Sequence, residues 1–290
     1  MIIIDFNGIA VGSIITQKVK IVGTPDFLVD EDMIRHIILN TIRMYNKKFR
    51  AEYGQMVIAC DSSSWRRDYF PNYKFKRREG REESTMDWGE VFRIINMVRE
   101  EIRENFPYKV LHIDKCEADD IIGVLTDNTQ EFGQHEEVMI VSADKDFIQL
   151  HKYDNVRQYS PMTKKFIKDP NPRTYITEHI FKGDSSDGVP NVLSGDNTFV
   201  DGIRQSPVTQ KKIAAWMAGI EDLQSVMDSE TYRNYCRNKK LIDLSEIPED
   251  IRTNIINTYE STKAASKLKV LNFLIKKRCR MLIESVEEFY

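Results

Sequence analysis

Val138-Met139-Ile140-Val141-Ser142-Ala143-Asp144-Lys145-Asp146-Phe147 runs four apolar residues almost straight into two aspartates spaced by one. A short continuous apolar run suits a strand buried on both faces of a parallel sheet. Open α/β sheets bind ligands beyond the carboxyl ends of their strands, the edge where Asp144 and Asp146 fall. In an extended turn, an i, i+2 pair points both carboxylates the same way. Two carboxylates that close repel unless a cation sits between them. Hard oxygen donors select a hard divalent ion, and Mg²⁺ is the natural candidate. Taken alone, the segment is explained about as well by a solvated loop that uses Asp as a turn former.

The pattern repeats upstream. Met1–Ile4 reads as a strand ending at Asp5, and Gln55–Cys60 as a second ending at Asp61. Between them, Asp30 caps a helix expected to run to about Arg50, with Met33, Ile34, Ile37, Ile38 and Ile42 on its apolar face. Ser84-Thr85-Met86-Asp87 resembles a capping box. The helix after it carries Val91, Ile94, Ile95, Val98 and Ile102 on one face and reaches about Asn105. Val110–Ile113 reads as a third strand, followed by Glu117, Asp119 and Asp120 opening a helix to about Glu131. Acids at a helix N-terminus are stabilised by the macrodipole. Three within four residues exceed what capping requires, which suggests a metal.

Residues 155–159 and 164–167 read as a short hairpin. From about Tyr175 the chain becomes mostly helical, with expected helices over Pro207–Met217, Ile247–Tyr259 and Lys263–Ser285. Leu271, Phe273, Leu274, Met281 and Leu282 are the expected core of the last.

The 290 residues suffice for one large domain or two smaller ones. Hydrophobic content of 41% and charged content of 30% describe a soluble globular chain. Cys60, Cys116, Cys236 and Cys279 show no C-x-x-C spacing, which argues against a disulfide framework or a zinc site and fits a reducing cytoplasm. The apolar start, broken at Asp5, is too short for a signal peptide or a membrane span.

Net charge is −3, but its distribution is uneven. Trp65–Arg81 holds seven basic residues, among them Arg66, Arg67, Lys74, Lys76, Arg77 and Arg78, against two acids. Ser261–Arg280 holds seven basic residues and no acid. In the first strip Trp65, Tyr69, Phe70, Tyr73 and Phe75 interleave with the cations, as suits a mobile arch, about residues 62–85, that stacks on bases and holds phosphates. An amphipathic helix with its aromatics in the core is the competing explanation. Gly183-Asp184-Ser185-Ser186-Asp187-Gly188-Val189-Pro190 is the last informative motif. Its glycines allow tight backbone and suit amides approaching a phosphate, and Asp184 and Asp187 could face one pocket.

The ordered set is specific where each member is not. Asp5, then Asp61 before Trp65-Arg66-Arg67, then Glu117-Ala118-Asp119-Asp120, Asp144-Lys145-Asp146 and the Gly183 motif together resemble the structure-specific 5′ nuclease family. That family comprises flap endonucleases and the 5′-nuclease domains of bacterial DNA polymerases, and the likeness is strongest to its T-even-phage branch, over nearly the whole chain.

The resemblance implies an α/β fold with a mainly parallel central sheet flanked by helices, of the PIN-like 5′-nuclease type. It implies a catalytic domain over 1–180 and a smaller all-helical C-terminal domain over 181–290. It implies a 5′→3′ exonuclease on RNA·DNA and DNA·DNA duplexes with flap endonuclease activity, removing RNA primers in phage replication in the host cytoplasm. Two Mg²⁺ ions are implied, with Mn²⁺ as a substitute. Asp119, Asp144 and Asp146, with Asp61 and Glu117 nearby, would surround the first, and Asp120 belongs to the same acidic motif. Asp5, Asp184 and Asp187 would attend the second. Arg66 and Lys74 match the positions that hold the scissile phosphate. Arg67, Lys76, Arg77, Gly183, Gly188, Lys211 and Lys212 are the further expected nucleic-acid contacts.

Two departures matter. Gly188 stands where the family usually has Asn, and Leu193–Phe199 replaces a regular Gly-x-Gly hairpin, so a monovalent-ion site there is not expected. The chain begins almost at its first strand, so a sliding-clamp contact through a leader is not expected either. The resemblance also implies a single-strand-binding protein as partner of the helical part, and a monomer is expected. Two rivals remain. A Mg²⁺-dependent phosphatase explains the strand-end aspartates but not the basic strips. A non-catalytic nucleic-acid-binding protein needs the strips but not the clustered acids, which would repel its ligand without metal.

Overall fold

The apolar runs form strands, and their aspartates sit at the strand ends. The structure, a computed structural model, describes residues 1–17, 19–20, 27–28, 30–130 and 135–290. In chain order come β1 (Ile2–Asp5), α1 (Phe6–Gln17), the short β2 (Val19–Lys20) and β3 (Phe27–Leu28), α2 (Glu31–Tyr53) and β4 (Met56–Cys60). Next are α3 (Arg66–Tyr69), α4 (Phe75–Glu82), α5 (Trp88–Asn105), β5 (Lys109–His112), α6 (Ala118–Asn128) and β6 (Val138–Val141). A 3-10 helix (Lys145–Lys152), β7 (Val156–Ser160) and β8 (Lys165–Ile167) complete the sheet region. The rest is helical: α7 (Pro172–Lys182), α8 (Gln210–Ala218), α9 (Leu223–Val226), α10 (Ser229–Ile242), α11 (Glu249–Ser261), α12 (Leu268–Lys276) and α13 (Arg280–Ile283).

The main sheet has the order β5-β4-β1-β6-β7-β8, parallel except for the antiparallel edge strand β8. β1 is central, with Ile4 between Ile58 and Val141. The chain winds outward from β1 first through β4 and β5, then through β6 and β7, so the order reverses at β1. Crevices at such switch points bind ligands, and the strands meeting there end at Asp5, Asp61 and the Asp144 loop.

Successive strand residues feed opposite faces. Ile2, Ile4, Ile58, Met139 and Val141 pack with α2 and α5, while Ile3, Val57, Ala59, Val138 and Ile140 pack with α6 and α11. This two-sided burial is what the unbroken apolar runs anticipate.

Several expectations need correction. On α2 the buried stripe is Ile34, Arg35, Ile38, Leu39 and Ile42; Met33 and Ile37 are only half-buried. Arg35 takes a core position because Glu101 of α5 accepts from its Nε at 2.7 Å. The capping box at Ser84 does not form. Asp87 is the N-cap, accepting from the Glu90 amide, and Ser84 accepts from the Met86 amide instead. Glu131, the expected end of α6, lies outside the described residues.

Lys263–Ser285 is not one helix. Arg278 takes a left-handed φ of 55° and the chain reverses between α12 and α13. That reversal buries Phe273, Leu274 and Leu282 but leaves Leu271 and Met281 exposed.

Residues 181–290 are mostly helical, apart from an Asp184–Val189 bridge and an irregular stretch over residues 190–209, and they share part of their core with the sheet. Ile247, Ile251 and Ile255 join one face of the sheet, and Val270, Phe273, Leu274 and Phe289 join the other. The Tyr108 hydroxyl donates to the Phe289 carbonyl at 2.9 Å, and Asn46 donates to the Glu288 carbonyl. Phe181, Val192, Ile213, Trp216, Leu223 and Met227 form a separate cluster. Among the described residues, no helix is long and apolar enough to cross a membrane.

Candidate active site

Each strand end positions its carboxylate by local means. α1 follows β1 without a loop, so Asp5 accepts from the Gly8 amide at 2.9 Å. Ser142, at the end of β6, donates to its other oxygen at 2.8 Å. A Cβ on Gly8 would lie 2.4 Å from Asp5 Oδ2, so only glycine admits this carboxylate placement. Asp61 accepts from the Ala118 amide at the start of α6 at 2.8 Å, where free helical N–H groups favour an anion. Asp144 caps the 3-10 helix by accepting from the Asp146 amide at 2.9 Å. The D-x-D pair is therefore folded into a cap rather than extended.

These carboxylates oppose one another's ionisation. Burial, reinforced by Asp61, pushes Asp5 up to about 6. Burial and then Asp146 push Asp144 to about 6. Burial and then Asp144 hold Asp119 well above the ordinary carboxylate range. Asp119, Asp146, Asp184 and Asp187 line one pocket with Arg66. A concave group of mutually repelling carboxylates is a cation site by its electrostatics.

Glu117, Asp187 and Asp120 are paired with donors from the protein itself. Glu117 accepts from Ser64 at 2.6 Å and from Arg66 at 3.0 Å, and pairs with Lys74. Burial works against its charge, but Lys74 and Arg66 outweigh that and bring it down to about 2. Asp187 accepts from the Tyr73 hydroxyl at 2.8 Å and from Arg77 at 2.5 Å. Asp120 is fully buried between Arg66 at 2.8 Å, the Trp65 indole at 3.3 Å and the Glu117 amide at 2.9 Å. Buried and held by three donors, Asp120 is an anchor for Arg66.

The basic strip is correspondingly more structural than the sequence suggests. Trp65, Phe70 and Tyr73 are buried, so three of the five interleaved aromatics belong to cores, while Tyr69 is exposed. Arg66 is 2% exposed and also donates to the Leu241 carbonyl, which ties the strip to α10. Lys74 has a left-handed φ of 56° and its amide donates to the Asp187 carbonyl at 2.7 Å. Strain of this kind in a non-glycine residue collects at functional sites. Arg67, Lys76 and Arg77 are exposed, as are Lys211 and Lys212 on α8. The side chain of Arg78 lies outside the described residues. In the C-terminal strip, Lys277 pairs with Glu101 and Lys269 donates to the Glu104 carbonyl, so these two are engaged with α5.

Both motif glycines have internal reasons. Gly183 has φ 67° and a Cβ there would meet Val189 O at 2.5 Å; Gly188 has φ 72° and a Cβ would meet Asn72 O at 3.0 Å. Gly188 thus admits the strip backbone against the Asp187 turn.

Three contributors escaped the sequence reading. His179, on α7, brings Nε2 to 3.1 Å from Asp146 and 3.8 Å from Asp184. Burial lowers its basicity, but the Asp146 hydrogen bond together with the charges of Asp146, Asp184 and Asp144 outweighs that and raises it. Gln149 donates to the carbonyls of Asp146 and Ile242 and accepts from the Leu244 amide, fastening α10 to the D-x-D loop. Gln158, fully buried on β7, donates to the carbonyls of Ser142 and Asp144. A lone histidine on a helix and two glutamines carry no motif, so only the fold reveals them.

Known proteins resemble this chain in sequence and fold. Residues 27–179 match the family described as 5′-3′ exonuclease, N-terminal resolvase-like domain. Residues 170–289 match the one described as T4 RNase H, C terminal. The chain belongs to the 5′-3′ exonuclease family, a family of phosphodiester hydrolases. Ribonuclease H of Enterobacteria phage T4 is 35% identical over 297 residues, spanning 99% of this chain and 95% of that protein. The exonuclease of Escherichia phage T7 is 26% identical over 203 residues, 68% of this chain and 63% of that one. A zinc-bound structure of the phage T5 5′-exonuclease superposes with a TM-score of 0.60 at 18% identity, covering 90% of this chain and 98% of that chain. This establishes the family fold, a mostly parallel sheet with a helical C-terminal part, for a phage-type nuclease.

Proposed function

We propose that the chain is a Mg²⁺-dependent 5′→3′ exonuclease on RNA·DNA and DNA·DNA duplexes that also cuts 5′ flaps. In a phage-infected cell it removes RNA primers from lagging-strand fragments in the host cytoplasm. The observation that carries this reading is the run of mutually repelling carboxylates at the sheet's switch point, bordered by Lys74 and Arg77. All but one of the donors there are carboxylate oxygens, which fits hard divalent ions.

Asp5, Asp61, Asp119, Asp144, Asp146 and Asp184 would hold two such ions, Mg²⁺ or Mn²⁺. When bound, they supply Lewis-acid activation of water and charge stabilisation at the leaving 3′ oxygen. Lys74 and Arg77, held against Glu117 and Asp187, are positioned to meet phosphate oxygens as charge-assisted donors. Arg66 acts through Glu117 and Asp120, fixing the strip rather than reaching substrate. Arg67, Lys76, Lys211 and Lys212 offer exposed charge to the duplex backbone.

The test is a 5′-labelled RNA·DNA hybrid and a 5′-flap DNA duplex, each incubated with Mg²⁺ and with EDTA. Short 5′-derived products from both, with Mg²⁺ alone, are expected. Asp144→Asn is expected to abolish turnover while duplex binding in Ca²⁺ persists. Full activity of that variant, or cleavage in EDTA, would refute the reading.

A further inference from the structure

Among the described residues, His179 supplies a nitrogen donor beside two of the pocket's carboxylates, Asp146 and Asp184. One ligand atom from each of Asp146, His179 and Asp184 lies within 4.8 Å of the others. The ring is held in place, since Tyr175, one turn earlier on α7, packs against it with centroids 5.9 Å apart. Asp184 is divided in its duties. Its Oδ1 accepts from the Ser186 amide at 2.7 Å and the Ser186 hydroxyl at 2.6 Å, while Oδ2 faces the imidazole. Asp146 is fixed through its carbonyl by Gln149 at 2.8 Å, so its carboxylate is presented by a held backbone. Three donors on three separate supports thus converge on one point.

We propose that His179 Nε2 is a direct ligand of the divalent ion held by Asp146 and Asp184, and that it biases this position toward Mn²⁺ over Mg²⁺. The inference rests on the reading that the pocket holds divalent ions. Mg²⁺ takes oxygen donors almost without exception, whereas imidazole suits first-row transition ions. Two carboxylates and one imidazole leave coordination positions free for water and a phosphate oxygen. The competing arrangement is a permanent imidazolium–Asp146 pair that never touches metal, and the two differ in whether nitrogen sits on the ion.

Pulsed electron paramagnetic resonance of the full chain loaded with Mn²⁺ distinguishes them. Directly bound imidazole gives ¹⁴N modulation that changes to the ¹⁵N pattern when the protein is made with ¹⁵N-histidine. We expect that modulation in the native protein and its loss in His179→Gln. The variant's Mn²⁺-over-Mg²⁺ affinity ratio should fall about tenfold. The isotope comparison uses the native sequence, so it stands even if the variant folds poorly. Bound Mn²⁺ without nitrogen coupling, or coupling that survives in His179→Gln, overturns the ligand assignment and leaves the nuclease reading intact. Failure to bind Mn²⁺ at all removes both.

Discussion

Asp5→Asn offers a quantitative test of the acidic site that needs no substrate. Asparagine keeps both hydrogen bonds, since its carbonyl accepts from the Gly8 amide and the Ser142 hydroxyl rotates to accept from the new amide. What changes is charge. Burial and Asp61 raise the native carboxyl from 3.8 to about 6, which costs the ionised form on the order of 3 kcal/mol. The folded protein therefore holds this proton more tightly than the unfolded chain, and stability is lost as pH climbs from 3.8 through about 6. At about pH 7.5 in EDTA, Asp5→Asn should be more stable than the native protein by on the order of 2–3 kcal/mol. The gain should shrink as pH falls below about 6 and vanish near 3.8. Mg²⁺ should stabilise the native protein more than the variant and narrow the gap. Urea denaturation followed by circular dichroism reads each quantity. A variant that is less stable at neutral pH, or equally favoured at both ends of the range, would show that Asp5 is not a strained carboxylate awaiting a cation.

Arg66→Ala leaves buried Asp120 with no cation and Glu117 with Lys74 alone, and should cost roughly 3–5 kcal/mol, measured by urea midpoint; a cost under about 1 kcal/mol would return Arg66 to a purely substrate-facing role. Gly8→Ala pushes on Asp5, so calorimetry should show divalent-ion binding weakened about tenfold or more with stability changed by no more than about 1 kcal/mol. Lys211→Ala with Lys212→Ala should weaken duplex binding evenly across sequences and reduce the salt slope by about two, leaving the metal affinities unchanged; an unaltered slope would place the duplex elsewhere.

The strands and their terminal aspartates were legible because a run such as Val138–Val141, buried on both faces, has no polar residue to blur it. The strip after Asp61 was read less well. Aromatics interleaved with cations favour a nucleic-acid arch over an amphipathic helix with its aromatics in the core, yet Trp65, Phe70 and Tyr73 are core. The reversal at Arg278 was invisible because the left-handed residue there is arginine, where sequence rules look for glycine or asparagine. Asp120 sits beside Asp119 in the same motif, yet one helical step turns it away from the pocket and onto Arg66. Neighbouring acids share a sequence signal but not a face.

The return of the chain's last turns to the sheet has a consequence for assembly. Phe106 and Tyr108 are covered by Phe273 and Phe289, contacts that span more than half the sequence. Such distant pairings raise contact order and slow folding. During synthesis, the strands and their carboxylates emerge while this apolar face still lacks its cover. The nascent chain therefore passes through an interval in which it exposes core to the translating cell. A stop codon that removed only residues 286–290 would reopen that face, and a shortfall in soluble yield would appear before any catalytic step was touched.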